Sequence, residues 1–160
     1  MQNKIETERL TISPLDCNSE DVHDMFIWHN DAEIQKYLPP KPFKLEYDFR
    51  LSMVNCINRG QKIYIAKLKE SVDNVVVCCC HLKENTFVQW YCNPKYRNNG
   101  YVTEMISAII DALRLDRATA IAIDMRNVAS QRVAEKAGFV RTDVRSVSAT
   151  KTIYEYTYKK

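Results

Sequence analysis

Two junctions between a strand-like run and a helix-like run carry polar residues suited to holding an anion and an amide. The first is NPKYRNNGYVTEMI, Asn93 to Ile106. The chain has only 3 glycines in 160 residues, and Gly100 stands here behind two asparagines and ahead of a helical pattern. The first turn of any helix leaves N–H groups without partners, and the helix dipole adds positive potential behind them. Such a turn is a ready site for phosphate or pyrophosphate. Gly100 lacks a Cβ and lets a ligand come close. Asn98 and Asn99 tolerate left-handed or bridge geometry. Arg97 adds charge at the mouth, and Tyr101, Val102 and Thr103 bring the next amides. The same residues also suit an ordinary helix-start turn with no ligand.

The second junction is RNVASQRVAEKAGFV, after the strand-like TAIAIDM. Asn127 stands where the strand stops and can cap a helix or hold a ligand amide. Ser130 falls in the first turn, and Arg132 is polar on a helix whose Val133 and Ala137 face inward. In mixed sheets ligands favour the carboxyl ends of strands, where both junctions lie. Two nucleotide motifs are absent: there is no GxxxxGK[ST] and no GxGxxG after a first strand.

The elements that must position these residues follow from periodicity. Arg9 to Leu15 alternates and reads as a strand. Ser19 precedes EDVHDMFIWH and is the expected cap of a first helix. Asp31 to Leu38 is a short second helix, broken by Pro39, Pro40 and Pro42. Leu45 to Ile57 is a third. Ile63 to Leu68, Val72 to Leu82 and Phe87 to Cys92 read as three antiparallel strands in series. Val102, Met105, Ile106, Ile109, Ile110 and Leu113 form a wide apolar stripe, so the fourth helix lies across a sheet. Ala118 to Ile123 is a strand of central character. Val128 to Ala137 is a helix closed by Gly138. Phe139 to Val147 and Thr152 to Tyr158 end the chain as strands. The predicted fold is α/β in the mixed α+β sense: a mixed sheet with helices on its faces, in one domain spanning residues 1–160.

Composition narrows the function classes. Hydrophobic residues make up 46% and charged residues 27%, enough for a core and a wet surface. The net charge of +3 is too small to argue for nucleic acid and fits a local anion site. There is no run of about 18 apolar residues, so no membrane span is expected, and MQNKIETERL lacks a secretory pattern. A cytoplasmic address is the default expectation. Of 6 cysteines, three are consecutive in VVVCCCHL. Successive strand side chains point to opposite faces, so Cys78, Cys79 and Cys80 cannot share one metal. They read as small core residues, and no metal is expected.

With these pieces in place the chain resembles the GNAT superfamily of N-acetyltransferases, and within it the subgroup that acetylates ribosomal-protein N-termini. ETERLTISPL resembles the opening strand of that subgroup and WHNDAEIQKYL its early helical segment. NPKYRNNGYVTEMI resembles its acetyl-CoA signature, and NVASQRVAEKAGF its second signature. The family signature is Arg or Gln, two residues, Gly, one residue, then Gly or Ala. Arg97, Gly100 and Val102 occupy those places. Val102 is bulkier than the usual residue, and Asn98 stands where the subgroup often has glycine.

The resemblance implies a mostly antiparallel sheet with a central, splayed parallel pair made by Phe87–Cys92 and Ala118–Met125. It implies acetyl-CoA as cosubstrate and a primary amine as acceptor, with the pyrophosphate held by backbone N–H groups. It places the pantetheine arm against the backbone near Tyr91 and Cys92 and beside Asn127, and Arg132 near the phosphates. It places Ser130 near the departing thiolate, as an acid or as a first-turn hydroxyl. Glu33, Glu84, Glu104 and His81 are the candidate bases; each also suits a surface, helix-end or structural role. The alternative is a regulatory module on the same fold that binds CoA or another nucleotide without turnover. A monomer and a homodimer are both compatible, since Tyr154, Tyr156 and Tyr158 share a face that suits a dimer surface or a covered sheet.

Overall fold

The computed structural model describes residues 4–38 and 42–160, with the side chains of residues 121 and 122 excepted. Eight strands are assigned: β1 (Ile5–Glu6), β2 (Leu10–Pro14), β3 (Gln61–Leu68), β4 (Val76–Lys83), β5 (Thr86–Cys92), β6 (Arg117–Asp124), β7 (Val140–Ser148) and β8 (Lys151–Lys159). The helices are α1 (Asp21–His29), α2 (Ala32–Gln35), α3 (Glu46–Asn58), α4 (Tyr101–Ala112) and α5 (Val128–Lys136). The strands form one sheet in the order β1-β2-β3-β4-β5-β6-β8-β7. Every pairing is antiparallel except β5 with β6. The architecture is the expected mixed α+β fold.

The sheet divides two cores. Alternation along each strand sends successive side chains to opposite faces. Tyr64, Ala66, Cys78 and Cys80 join Val102, Met105, Ile106 and Ile109 of α4 on one face. Ile63, Ile65, Cys79 and Tyr91 join Val22 and Met25 of α1 and Phe49 and Met53 of α3 on the other. The cysteine triplet is thus split between the cores, with all three residues fully buried. Burial raises all three thiols above the ordinary range, which keeps them protonated and inert. Among the described residues no group of His, Cys, Asp and Glu is placed to hold a metal ion. No helix there is long and apolar enough to cross a membrane.

Several elements differ from the sequence reading. Ser19 does not cap α1: its Oγ donates to the Asp16 carbonyl at 2.7 Å. The turn from Asp16 to Ser19 consumes that hydroxyl, and Glu20 takes the cap position without a side-chain bond. The long β-rich run starts as strand only at Val76. Val72 is 98% exposed and Asn74 is left-handed, so the first residues of that run form a turn. β1 is too short to show a period and was not expected. The second helix is shorter than expected and is capped by Asp31, whose Oδ1 accepts from the N–H groups of Glu33 and Ile34. Pro39 and Pro40, its expected breakers, lie outside the described residues. Tyr156 is buried, and Tyr154 and Tyr158 pack against the α4-side core, so that tyrosine face is a covered sheet.

Candidate active site

Among the described residues the ladder contacts between β5 and β6 lie near the start of each strand. Thr86 pairs with Thr119 and Phe87 with Ala120, and the two threonine hydroxyls meet at 2.9 Å. By Ile123 and Asp124 the strands have parted, because each follows its antiparallel neighbour. β5 stays on β4 through Cys79–Tyr91 and Cys78–Cys92. β6 stays on β8, with an irregularity between Ala120 and Ile123. The gap leaves one edge of β5 without a strand partner over its last residues.

A cleft of about 410 Å³ opens at this gap, between the first turns of α4 and α5 and beneath α2. Its walls bring together Tyr91, Cys92, Arg97, Asn98, Gly100, Tyr101, Val102, Thr103, Asn127, Ser130 and Arg132. One expected residue, Asn99, lies outside this lining. Its Nδ2 donates to the carbonyls of Tyr96 and Arg97 at 3.1 and 3.0 Å, which closes the turn. A second depression of about 340 Å³, between Leu15 and α3, has no comparable convergence of polar groups.

The turn ahead of α4 is built by conformation. Asn93 accepts from the Lys95 N–H at 3.1 Å and starts a single 3-10 turn, Pro94–Tyr96. Asn98 is left-handed at φ +64, and Gly100 is left-handed at φ +78. A Cβ on Gly100 would come no nearer than 3.7 Å to Arg9, so the glycine answers the φ angle, not crowding. Gly100 contributes no side-chain cap. The first N–H of α4 with a helical partner is that of Glu104, to the Gly100 carbonyl at 3.0 Å. Among the described residues no acceptor meets the N–H groups of Tyr101, Val102 and Thr103. Val102 has its side chain in the core, and its N–H belongs to the unpaired first turn.

At α5, Asn127 Oδ1 accepts from the Ser130 N–H at 3.1 Å. The oxygen is the cap, and Nδ2 remains for another partner. Ser130 is half-buried, and its hydroxyl makes no side-chain bond among the described residues. Arg132 and Lys136 sit one turn apart on the cleft side of α5. Cys92 is held by a weak bond to the Val77 carbonyl, and burial pushes its thiol up to about 11.

The candidate bases separate clearly. Glu104 is clamped by Arg9, whose Nε and Nη2 reach its Oε2 at 2.7 and 2.6 Å, and by the Thr7 hydroxyl. Partial burial works to raise the Glu104 pKa, but these bonds and the Arg9 charge hold it below the usual carboxylate range. His81 is buried, with Nδ1 at 2.9 Å from Gln61 Oε1, and burial pulls its pKa down to about 3. Glu84 lies in the left-handed turn between β4 and β5, outside the cleft lining. Glu33, on α2, is the one carboxylate among the described lining residues.

Residues not singled out from sequence complete the frame. Asp31 accepts from Arg97 at 3.0 Å. Arg9 also donates to the Asn99 carbonyl at 2.9 Å and lies over the Tyr101 ring. The Tyr37 hydroxyl donates to the Arg126 carbonyl at 3.2 Å, bridging the α2 region to the loop before α5. Asp124, buried below that loop, is held by Arg126 down to about 2. Lys136 was legible as the i+4 partner of Arg132 on one helix face; the Arg9 contacts had no local signal.

A sheet parted at its parallel pair, with an unpaired helix start at the opening, has the chemistry to accept an anionic group. Residues 9–140 match the model of the Acetyltransferase (GNAT) domain, and the chain belongs to that family. It is 27% identical over 143 residues to the uncharacterized N-acetyltransferase YnaD of Bacillus subtilis, covering 86% of this chain and 82% of that one. Its fold is similar to a probable GNAT-family acetyltransferase from Chromobacterium violaceum, with a TM-score of 0.84 at 19% identity, over 99% of this chain and 87% of the other. It is also similar to RimL, a ribosomal L7/L12 alpha-N-protein acetyltransferase solved with coenzyme A, with a TM-score of 0.81 at 15% identity, over 98% of both.

Proposed function

We propose that this protein moves an acetyl group from acetyl-CoA to a primary amine, by direct attack of the amine on the thioester. The observation that carries the reading is the unpaired first turn of α4, opening onto the gap between β5 and β6. The residues present fit the cosubstrate. Three free amides and the charges of Arg97, Arg132 and Lys136 suit a diphosphate. The unpartnered edge of β5 at Tyr91 and Cys92 suits the amide-bearing pantetheine arm, and Asn127 Nδ2 offers it one more donor.

Acetyl-CoA supplies the activated acyl group. The chain's own part is to hold the amine against the carbonyl, which converts an encounter into an intramolecular step. An N–H on the open edge of β5 polarises the carbonyl as charge develops on its oxygen. Ser130 Oγ supplies a proton to the leaving thiolate and is reprotonated by the proton that the acylated nitrogen loses. Glu33 attracts the ammonium form of the acceptor and takes its proton through water. The acceptor is a protein N-terminus or a small primary amine. The ribosomal-protein subgroup is favoured by the resemblance in four pieces, of which NPKYRNNGYVTEMI and NVASQRVAEKAGF are specific and ETERLTISPL and WHNDAEIQKYL suggestive.

Calorimetric titration with CoA and acetyl-CoA, followed by mass spectrometry over a panel of N-terminal peptides and small amines, tests this. Binding with acetylated product is expected. Binding without product on any acceptor would leave the non-catalytic CoA-binding module. No binding at high micromolar cofactor would remove both.

A further inference from the structure

Beneath the cleft, on the α1 and α3 side of the sheet, four aromatic side chains share an unusual property. Trp28 Nε1, His29 Nδ1, His81 Nε2 and Tyr91 Oη are all buried, and none has a hydrogen-bond partner among the described protein groups. The four are neighbours. Tyr91 is the hub, with ring centroids 5.3 Å from Trp28, 5.3 Å from His29 and 6.2 Å from His81. Cys79 is the register partner of Tyr91 on β4 and shares its core. An unsatisfied buried polar atom costs about 1–3 kcal/mol. Native proteins satisfy nearly all such atoms, with internal water where protein groups do not reach. Four orphans on rings packed around one tyrosine are most simply satisfied by a shared partner.

The chemistry of the four atoms restricts that partner. Trp28 Nε1 can only donate. His81 Nδ1 faces Gln61 Oε1, which can only accept, so the His81 proton sits on Nδ1. His81 Nε2 is then a bare lone pair that can only accept. Tyr91 Oη can do both, and His29 Nδ1 can do either. Donors and acceptors are matched in kind but do not reach one another. A bridging molecule must accept from Trp28, donate to His81 and serve Tyr91 or His29 with what remains. A cation would meet the Trp28 N–H unfavourably, and an anion would meet the His81 lone pair.

We infer that Trp28, His29, His81 and Tyr91 enclose a buried water-binding site under the cleft floor, with His81 fixed as the Nδ1–H tautomer. The water sits below the last residues of β5, the length that β6 leaves unpaired. It ties the Tyr91 side chain to Trp28 and His29 of α1 and to His81 of β4, beside the Cys79–Tyr91 pairing of the two backbones. The site does not depend on the acetyl-transfer reading.

Two measurements on the full, ligand-free chain test it. In a high-resolution crystal structure, an ordered water is expected about 2.7–3.2 Å from Trp28 Nε1 and from His81 Nε2 or Tyr91 Oη. In long-range ¹H–¹⁵N correlation spectra at neutral pH, His81 is expected to show a protonated Nδ1 and an Nε2 shifted by an accepted hydrogen bond. Tyr91→Phe keeps the ring and should retain the Nδ1–H tautomer while shifting the Nε2 resonance. Direct contact among the four side chains with no water between them would overturn the inference. So would a His81 proton on Nε2, or an Nε2 resonance that Tyr91→Phe leaves unmoved.

Discussion

Arg97 Nη2 and Asp31 Oδ1 lie 3.0 Å apart, so one carboxylate both caps α2 and holds the arginine at the cleft mouth. The pair sets the Arg97 charge against a local negative charge. Asp31→Asn keeps a capping side chain and removes that charge. Both groups are about one-third exposed, so the stability cost is below about 1 kcal/mol. CoA affinity should rise severalfold, whereas Arg97→Gln should lower it. Calorimetry of the two variants checks the opposite signs; a fall in both would mean that Asp31 acts only by positioning Arg97.

Gly100→Ala places an L residue at φ +78. The left-handed penalty is roughly 1–2 kcal/mol, and no clash adds to it. Urea unfolding should show a loss of that size. CoA binding should weaken further, because relaxation of the strain turns the first amides of α4. Unchanged affinity beside lowered stability would separate the turn from the ligand.

Ser130 and Asn127 should separate in the same assays. Asn127→Ala removes a cap bond and costs about 1 kcal/mol of stability. Ser130→Ala removes a hydroxyl with no side-chain bond among the described residues, so stability should change by less than about 0.5 kcal/mol. If that hydroxyl protonates the thiolate, kcat falls at least tenfold with KM for acetyl-CoA held. An unaltered kcat would leave Ser130 a structural residue.

Most elements were legible because their signals are local. The apolar stripe of α4 repeats at helical spacing and is buried as read, from Val102 to Ile110. Gly100 was legible as a conformational marker because its neighbours are two asparagines. The separation of β5 from β6 was expected only from the family resemblance, since it arises from pairings with β4 and β8 that no stretch of either strand records. Ser19 misled because a hydroxyl before a helix can serve the preceding turn equally well. The clamp on Glu104 was hidden because Arg9 stands 95 positions away in the chain.

Glu33→Gln should leave CoA binding intact and raise KM for the amine several-fold. Its carboxylate is the one acidic group among the described lining residues, which also include Arg97, Arg132 and Lys136. Initial rates over a range of amine concentrations, at saturating acetyl-CoA, check this; equal KM values would move acceptor recognition elsewhere.

Stability should fall as pH drops below neutrality. Burial holds His29 at about 4 and His81 at about 3 in the folded chain. Unfolded histidine titrates near 6.5, so between about pH 6.5 and 4 the unfolded chain binds more protons than the folded one. The native state is therefore fully favoured above that window and loses on the order of a few kcal/mol through it. Asp124, held down to about 2 by Arg126, adds its own loss only at lower pH. Thermal melts from pH 7.5 to 4.5 should show the decline, and His29→Phe, which suits neighbours Phe43 and Phe49, should flatten it. A parallel decline in the variant would assign the effect to other groups.

The bonds from Arg9 to Glu104 and Asn99 have a kinetic consequence. A contact between residues so remote in the chain must close a long loop before it repays the entropy lost. The turn ahead of α4 can form early as a local bend. Its final contacts wait until the segment leading into β2 has docked. A chain with the segment before β2 undocked would lack the Arg9 bonds that brace this turn.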